Sequence, residues 1–448
     1  MIHYLPSLGF HKYNNFSEYV FIQPTHTSSN IVVEPNWLGL HNIAIPLSLA
    51  DHYGGVAHLF IKARRYQNDI VEFRGFITPN IANPEVQMQW YGKEEAKQLI
   101  NDELDMMLAN PGTPPTLIDL DKLNNGGKSR KLKSYPFRFK LKHQDIDPQI
   151  HLIFAGSKAM VPIYNYIPRQ PEPEPTEPPA IVRVMSPNYG IYDDIDLLAR
   201  ALYQGVQFHM KVGITEAIYY CRPHVVAAGI ESHPLIQSIK DHLTIVNWNA
   251  VVERMQDKKP APSIYYDQHL AYNHALNTLW GENKITFHVD HDELLAIPNR
   301  MGRNATDILE SGCLSKYENP GCLSLKRRVV YSREPVNYLH ELDMDPSAKL
   351  TLRATEEYSR KRNPKTLFWP DAVDLVATHS GFACLEREQG IGVVSLKCNN
   401  TQKCTHIDEN CVFVAHFMQF TKEDGSVQLK KSEKAAFEQG VFEDRSWQ

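Results

Sequence analysis

The sequence predicts an α/β domain preceded by a smaller, β-rich and sandwich-like N-terminal domain. Three observations carry that reading. Pro171-Glu-Pro-Glu-Pro-Thr-Glu-Pro-Pro179 interrupts the chain with residues that form neither a helix nor a central strand, and it reads as an extended, solvated spacer. Before it, short apolar runs are punctuated by Gly, Pro, Asn and Asp, the pattern of strands and turns. After it, strand patterns alternate with helical ones, which points to a sheet covered by helices. The expected division is 1–168 for a β-rich accessory domain, 169–180 for the spacer and 181–448 for the α/β domain.

In the N-terminal part, Ile31-Val-Val33, Val56–Ile61, Ile70–Phe73 and Ile150–Phe154 read as strands. One helix is expected over Lys93–Met107. No site is legible there, and a domain of this kind binds carbohydrate or packs against a partner.

In the C-terminal part, Ile181-Val-Arg-Val184 is the first strand. Asp193 or Asp194 can cap the following helix, whose Leu198, Leu202, Val206, His209 and Val212 keep helical spacing until Gly213 stops it. Val206, Phe208, Met210 and Val212 also alternate as a strand would, but a helix is expected. Ile214–Tyr220 is a strand, Pro234–Ile239 a helix and Leu243–Trp248 a strand. A further helix carries Tyr272, Ala275, Leu276 and Leu279 on one face and ends before Gly281. The strand beginning at Lys284 closes the succession and runs into Asp290-His-Asp-Glu293. Ligands of such sheets bind at the strands' C-terminal ends.

Two carboxylates one residue apart at the end of a buried strand are costly unless a cation faces them. Taken alone, the tripeptide reads equally as a solvated acidic turn. Mg²⁺ or Mn²⁺ is the hard cation that suits such oxygens, and it usually brings phosphate with it.

Bulk properties exclude several classes. The chain of 448 residues has 42% hydrophobic and 22% charged residues, as ordinary globular proteins do. A formal charge of −5, without a basic stripe, argues against nucleic acid as a partner. No run approaches the roughly 18 apolar residues of a membrane span. Met1–Phe10 lacks the basic flank and apolar length of a signal peptide, so neither an anchor nor a secretion address is expected. The seven cysteines lack C-x-x-C spacing, against structural zinc. Those after position 380 suit disulfides or buried thiols, and sequons at Asn15, Asn304 and Asn399 are compatible with a lumenal location.

In combination, these motifs resemble glycosyltransferase family 92. Gly213-Ile-Thr-Glu-Ala-Ile-Tyr-Tyr220 is similar to the family's Gly-Ile/Val-Thr element, and Leu243–Trp248 to its strand ending in Trp. Gln268 and Asn273 match a Gln-x-x-x-x-Asn helix, and Asp290-His-Asp-Glu-Leu294 an Asp-x-Asp-Glu-Phe/Leu motif. Lys365-Thr-Leu-Phe-Trp-Pro370, Val373 and His379 resemble a Lys-Ser-Ile-Val-x-Pro-x-x-Val run ending at histidine. Val412-Phe-Val-Ala-His416-Phe417 resembles a later His-Tyr element, with Phe for Tyr. Met301-Gly302-Arg303 is a loose counterpart of the stretch between these blocks.

The resemblance implies a GT-A type, Rossmann-like nucleotide-sugar domain and an inverting, metal-dependent transfer of a hexose, galactose from UDP-galactose, to a glycan or polysaccharide. It implies Mn²⁺ or Mg²⁺ on Asp290 and Asp292, with His379 as third ligand. Glu293 and Lys365 stand beside the substrate, Glu293 orienting the loop and Lys365 facing a phosphate. His291 and His416 read as structural. Inversion needs one general base, sought among Asp307, Glu310 and Glu318, with Glu310 preferred. The family implies a Golgi or secretory lumen, and the chain's own segments a cytoplasmic location. Two other classes compete: a carbohydrate-binding protein with a degenerate transferase domain, and a metal-dependent phosphohydrolase or nucleotidyltransferase. The last lacks a Gly-rich phosphate loop and a second acidic cluster.

Overall fold

The computed structural model describes residues 179–187, 194–248, 261–297, 321–331, 364–377 and 404–417, together with the shorter strands whose ranges follow. Contacts divide the chain into two compact units. One comprises Met1–Pro175, Asn249–Gly281 and Phe382–Gln402; the other comprises Thr176–Trp248, Glu282–Gly381 and Lys403–Gln448. The first boundary falls inside the Pro/Glu spacer, but the first unit also takes two segments from beyond it.

The first unit is built on antiparallel pairing. β1 (Val32–Pro35), β2 (His41–Pro46), β3 (Gly55–Arg65), β4 (Ile70–Ile81), β7 (Tyr135–Lys142) and β22 (Gly392–Val394) form a six-stranded sheet in that order. A four-stranded sheet runs β6 (Thr116–Ile118), β5 (Met106–Ala109), β8 (Gln149–Phe154) and β9 (Ala159–Tyr164). Met106 and Met107, expected at the end of a helix, therefore lie in a strand. β6 and β8 supply ladder partners on both sides of β5, and that pairing outweighs the weak helical preference of the segment. Residues 93–105 lie outside the described residues.

On β3 and β4, Phe60 faces Phe76 in register and Lys62 faces Arg74. The two rings stack at 4.7 Å, as cross-strand aromatic pairs do. One helix, Ala261–Thr278, belongs to this unit and packs on the same two strands. Lys62 Nζ donates to Thr278 O at 2.8 Å, Arg74 Nε to Asn277 Oδ1 at 3.1 Å, and the His274 ring meets Phe60 edge-on. The sequence pattern assigns this helix to the α/β domain. The helix instead packs in the first unit, where its buried polar positions Asn277 and His274 find their partners on the antiparallel sheet. Gln268 and Asn273 lie on the same helix, where Gln268 bonds Tyr272 and Asn273 bonds the carbonyl of His269.

The second unit holds the α/β sheet. β10 (Ala180–Met185), β11 (Glu216–Cys221), β12 (Leu243–Asn247) and β13 (Lys284–His288) are parallel and lie side by side as β12-β11-β10-β13. β18 (Lys365–Phe368) continues the sheet antiparallel to β13, followed by β15 (Cys322–Leu325) and β24 (Thr405–His406). A second, mixed sheet runs β14 (Glu293–Ala296), β25 (Phe413–Phe417), β16 (Arg327–Tyr331), β17 (Leu352–Ala354) and β26 (Phe442–Asp444). β19 (Leu375–Ala377) with β20 (Ser380–Phe382) forms a two-stranded ribbon, and in the first unit β21 (Cys384–Glu386) with β23 (Leu396–Cys398) forms another.

Helix α1 (Ile195–Lys211) follows β10. Asp194 caps it by accepting from the amides of Asp196 and Leu197 at 2.8 and 3.1 Å. Gly213, at φ 86°, ends it: its amide donates to Met210 O and that of Ile214 to His209 O, a Schellman closure that a side chain at Gly213 would strain. Leu198, Leu202 and Val206 pack with Met185, Ala217 and Tyr219 of the sheet, each burial contributing roughly 1.5–3 kcal/mol. A one-turn helix α2 (Pro223–Ala227) precedes α3 (Pro234–Ser238), both opened by proline at the first helical position. Among the described residues, no helix is long and apolar enough to cross a membrane.

Candidate functional site

β13 ends beside β10, and the amide of Val289 still donates to Val184 O at 3.1 Å. The chain then turns through Asp290-His-Asp-Glu293 and leaves this sheet for the other. The turn closes twice. Glu293 N donates to Asp290 O at 3.3 Å, and Asp290 N donates to Glu293 Oε2 at 2.9 Å. Side chains alternate across it: Asp290 and Asp292 are 36% and 25% exposed, while Glu293 is fully buried. His291 is buried with its ring edge-on to Tyr219 at 5.0 Å. Burial, reinforced by Arg183 and opposed by Asp290, lowers the His291 pKa to about 3, so the ring is neutral at physiological pH.

A buried carboxylate needs cations, and Glu293 has two. Lys365, first residue of β18, places Nζ 2.7 Å from Glu293 Oε2 and 2.8 Å from Asp290 Oδ2. Arg327 on β16 donates to Glu293 Oε1 at 2.9 Å. Burial alone pushes the Glu293 pKa up; Lys365, His416 and Arg327 more than offset this and hold it below the ordinary value. Lys365 is itself fully buried. The structure thus brings Asp290, Glu293 and Lys365 together as one ion-paired group. Such a group is expensive to disrupt, because removing one partner leaves a charge stranded in the interior.

The backbone of the turn is held from below. Arg183, on the central strand β10 and fully buried, donates Nη2 to the carbonyls of Asp290 and His291, both at 3.4 Å. Its guanidinium lies against Gly205 of α1, where an added Cβ would stand 2.2 Å from Nη1. Glycine there is a condition of close approach. One turn on, His209 accepts from the amide of Leu295 through Nε2 at 3.2 Å while Nδ1 lies 2.7 Å from Gly205 O. Since Nε2 must accept, Nδ1 carries the proton and the ring is neutral. Burial and Arg183 keep its pKa well below the ordinary value. Sequence spacing counts His209 among the apolar positions of α1; the structure makes it a polar stitch between helix and β14.

His416 on β25 faces Glu293 in register, and its Nε2 lies 3.0 Å from Asp292 Oδ2. The sequence reads it as a structural residue of an apolar strand. Its contact with the motif comes from strand pairing across 124 residues, which no local pattern announces. His379 and the carboxylates Asp307, Glu310 and Glu318 lie outside the described residues, as does Met301-Gly302-Arg303.

Among the described residues, no group of three or more His, Cys, Asp or Glu side chains is set to hold a metal. The donors that are present, two partly exposed carboxylates with an imidazole beside one of them, are hard oxygen and nitrogen ligands of the kind Mg²⁺ and Mn²⁺ accept. Asp290 and Asp292 would hold such an ion, and His416 is the described imidazole able to join them.

No protein-family model matches the chain, and no curated protein matches it significantly.

Proposed function

We propose that this protein is an inverting, metal-dependent glycosyltransferase with a GT-A type catalytic unit. It transfers a hexose, galactose from UDP-galactose, to a glycan or polysaccharide acceptor. The observation that carries this reading is the position of Asp290-His-Asp-Glu293. It follows β13 at the carboxyl edge of the parallel strands, where the order β12-β11-β10-β13 reverses direction, and it leaves Asp290 and Asp292 accessible. That edge is where open α/β sheets bind nucleotides.

A divalent ion at Asp290 and Asp292 would neutralise charge developing on the departing diphosphate. Glu293 fixes the turn that presents both carboxylates, and Lys365 and Arg327 keep Glu293 ionised in the interior. Arg183 and His209 hold the turn and the strand after it from the side of α1. A carboxylate base, Glu310 in this reading, takes the proton of the acceptor hydroxyl as the glycosidic bond forms.

The test is a donor screen, with UDP-sugars and Mn²⁺, following UDP release with and without EDTA. Release from UDP-galactose that EDTA abolishes is expected. If no UDP-sugar is bound or cleaved and metal makes no difference, the reading fails.

A further inference from the structure

The turn that would hold the metal already carries its own cation. Lys365 bonds Asp290 Oδ2 at 2.8 Å and Glu293 Oε2 at 2.7 Å, and it is fully buried. Arg327 takes the other oxygen of Glu293 and Arg183 the carbonyls of Asp290 and His291. Two carboxylates of the turn, Asp290 and Glu293, are therefore met by Lys365 and Arg327 before any metal arrives, while Asp292 faces His416. A divalent ion must approach an Asp290 oxygen to about 2.1 Å, and Lys365 repels it throughout that approach.

We propose that Lys365 is a resident counter-ion that lowers the affinity of this turn for a free divalent cation, so that Mn²⁺ is retained only together with a nucleoside diphosphate. The diphosphate restores the negative charge that Lys365 and Arg327 have cancelled, and it supplies oxygen ligands of its own. Metal and nucleotide then load as one species, and the metal leaves with the product. This inference rests on the transferase reading and adds the order of loading to it. Lys365 acts through Asp290 and is a positioning residue.

The test measures protein-bound Mn²⁺ by electron paramagnetic resonance, with no dependence on turnover. Wild-type protein is titrated with Mn²⁺ alone and with Mn²⁺ plus UDP. Two variants, Lys365→Gln and the charge-balanced Glu293→Gln/Lys365→Met, are titrated with Mn²⁺ alone after circular dichroism has confirmed their fold. Retention by the wild type should be at least tenfold tighter with UDP. Lys365→Gln should bind Mn²⁺ alone about tenfold more tightly than the wild type, as loss of a neighbouring like charge requires, and the double variant should gain less, because the lost Glu293 carboxylate offsets part of the lost lysine charge. Equal Mn²⁺ affinity in wild type and variants overturns the proposal, and so does wild-type binding as tight without UDP as with it. Where a variant does not fold, wild-type binding as tight without UDP as with it still overturns the proposal. Absence of UDP binding under every condition overturns the transferase reading instead, and the variants' affinity for Mn²⁺ alone still judges Lys365.

Discussion

His416 on β25 and Asp292 in the turn after β13 meet at 3.0 Å, although they belong to strands far apart in the chain. Glu293, next to Asp292, is the register partner of His416 across β14 and β25, so the pair is fixed by the sheet ladder. On the proposed transferase function, His416→Ala is expected to lower Mn²⁺-dependent UDP release by about 10- to 100-fold, the usual effect of losing a group that ligates or orients a ligand. Wild-type turnover in that variant would remove His416 from the site.

Glu293→Gln leaves Lys365 and Arg327 facing an uncharged amide in the interior. Breaking a buried ion pair from one side costs about 3–5 kcal/mol. A drop of that size in urea unfolding is expected, read from a probe in the unit that holds β13 and β18. A loss below 1 kcal/mol would mean that the two cations find other partners at little cost.

Gly205→Ala sets two effects against each other. Alanine in a helix gains about 1 kcal/mol over glycine. The new Cβ, however, would stand 2.2 Å from Arg183 Nη1, and the guanidinium cannot move aside without leaving the carbonyls of Asp290 and His291. Overpacking of this kind costs roughly 1–3 kcal/mol. The clash should win, giving a lower melting temperature despite the better helix former; an increase would show that Arg183 yields freely.

Acid should destabilise the fold from an unusually high pH. Burial lowers the pKa of His274 and of His291 to about 3, in His291 with Arg183 adding to it. Burial also holds His209 and His288 well below the ordinary value, Arg183 assisting in the first and Lys365 in the second. Between the unfolded value near 6.5 and the folded one, the unfolded chain binds more protons, so stability is complete above that window and falls as pH drops through it. Each histidine contributes a slope approaching 1.4 kcal/mol per pH unit. Urea midpoints should be flat from pH 7 to 8 and decline steeply from pH 6 to 5. Below the ordinary carboxylate range Glu293 adds to the loss, because its folded pKa is depressed. A flat profile down to pH 5 would refute the assignment.

Cys322 on β15 is joined to Cys404, just before β24, by a disulfide spanning 82 residues. Closing a loop of that length restricts the unfolded chain by roughly 4 kcal/mol. The Cys322→Ser variant should therefore melt below the wild type without reductant, and dithiothreitol should lower both, since Cys411 is disulfide-bonded as well. Cys221, buried and with its thiol pKa pushed up to about 12 chiefly by burial, should stay unreactive to alkylation until the protein unfolds.

The parallel core of the second unit was legible because its determinants are local. Asp194 as cap, Gly213 as stop and the β-branched runs of β10 and β13 each act within a few residues, and the structure has them where spacing puts them. What local pattern does not contain is partnership. Nothing near Lys365 states that it will meet Asp290 and Glu293, and nothing near His416 states that it will face the turn; both follow from strand pairing over long separations. The helix Ala261–Thr278 shows the same limit. Its periodicity fixed the element but not the sheet it would cover, which Lys62 and Arg74 decide by bonding Thr278 and Asn277.

The turn at Asp290–Glu293 is also the corner where the chain passes from one sheet into another. β13 is locked in register against β10, and β14 against β25. Because strand side chains alternate, adding or deleting one residue at this corner would turn the whole of β14 over, exchanging the sides of Glu293 and Leu295 with those of Leu294 and Ala296, in a strand buried on both faces. The length of the motif is thus a folding constraint in its own right. A variant of this chain could exchange the aspartates, yet it would still have to span the corner with the same number of residues.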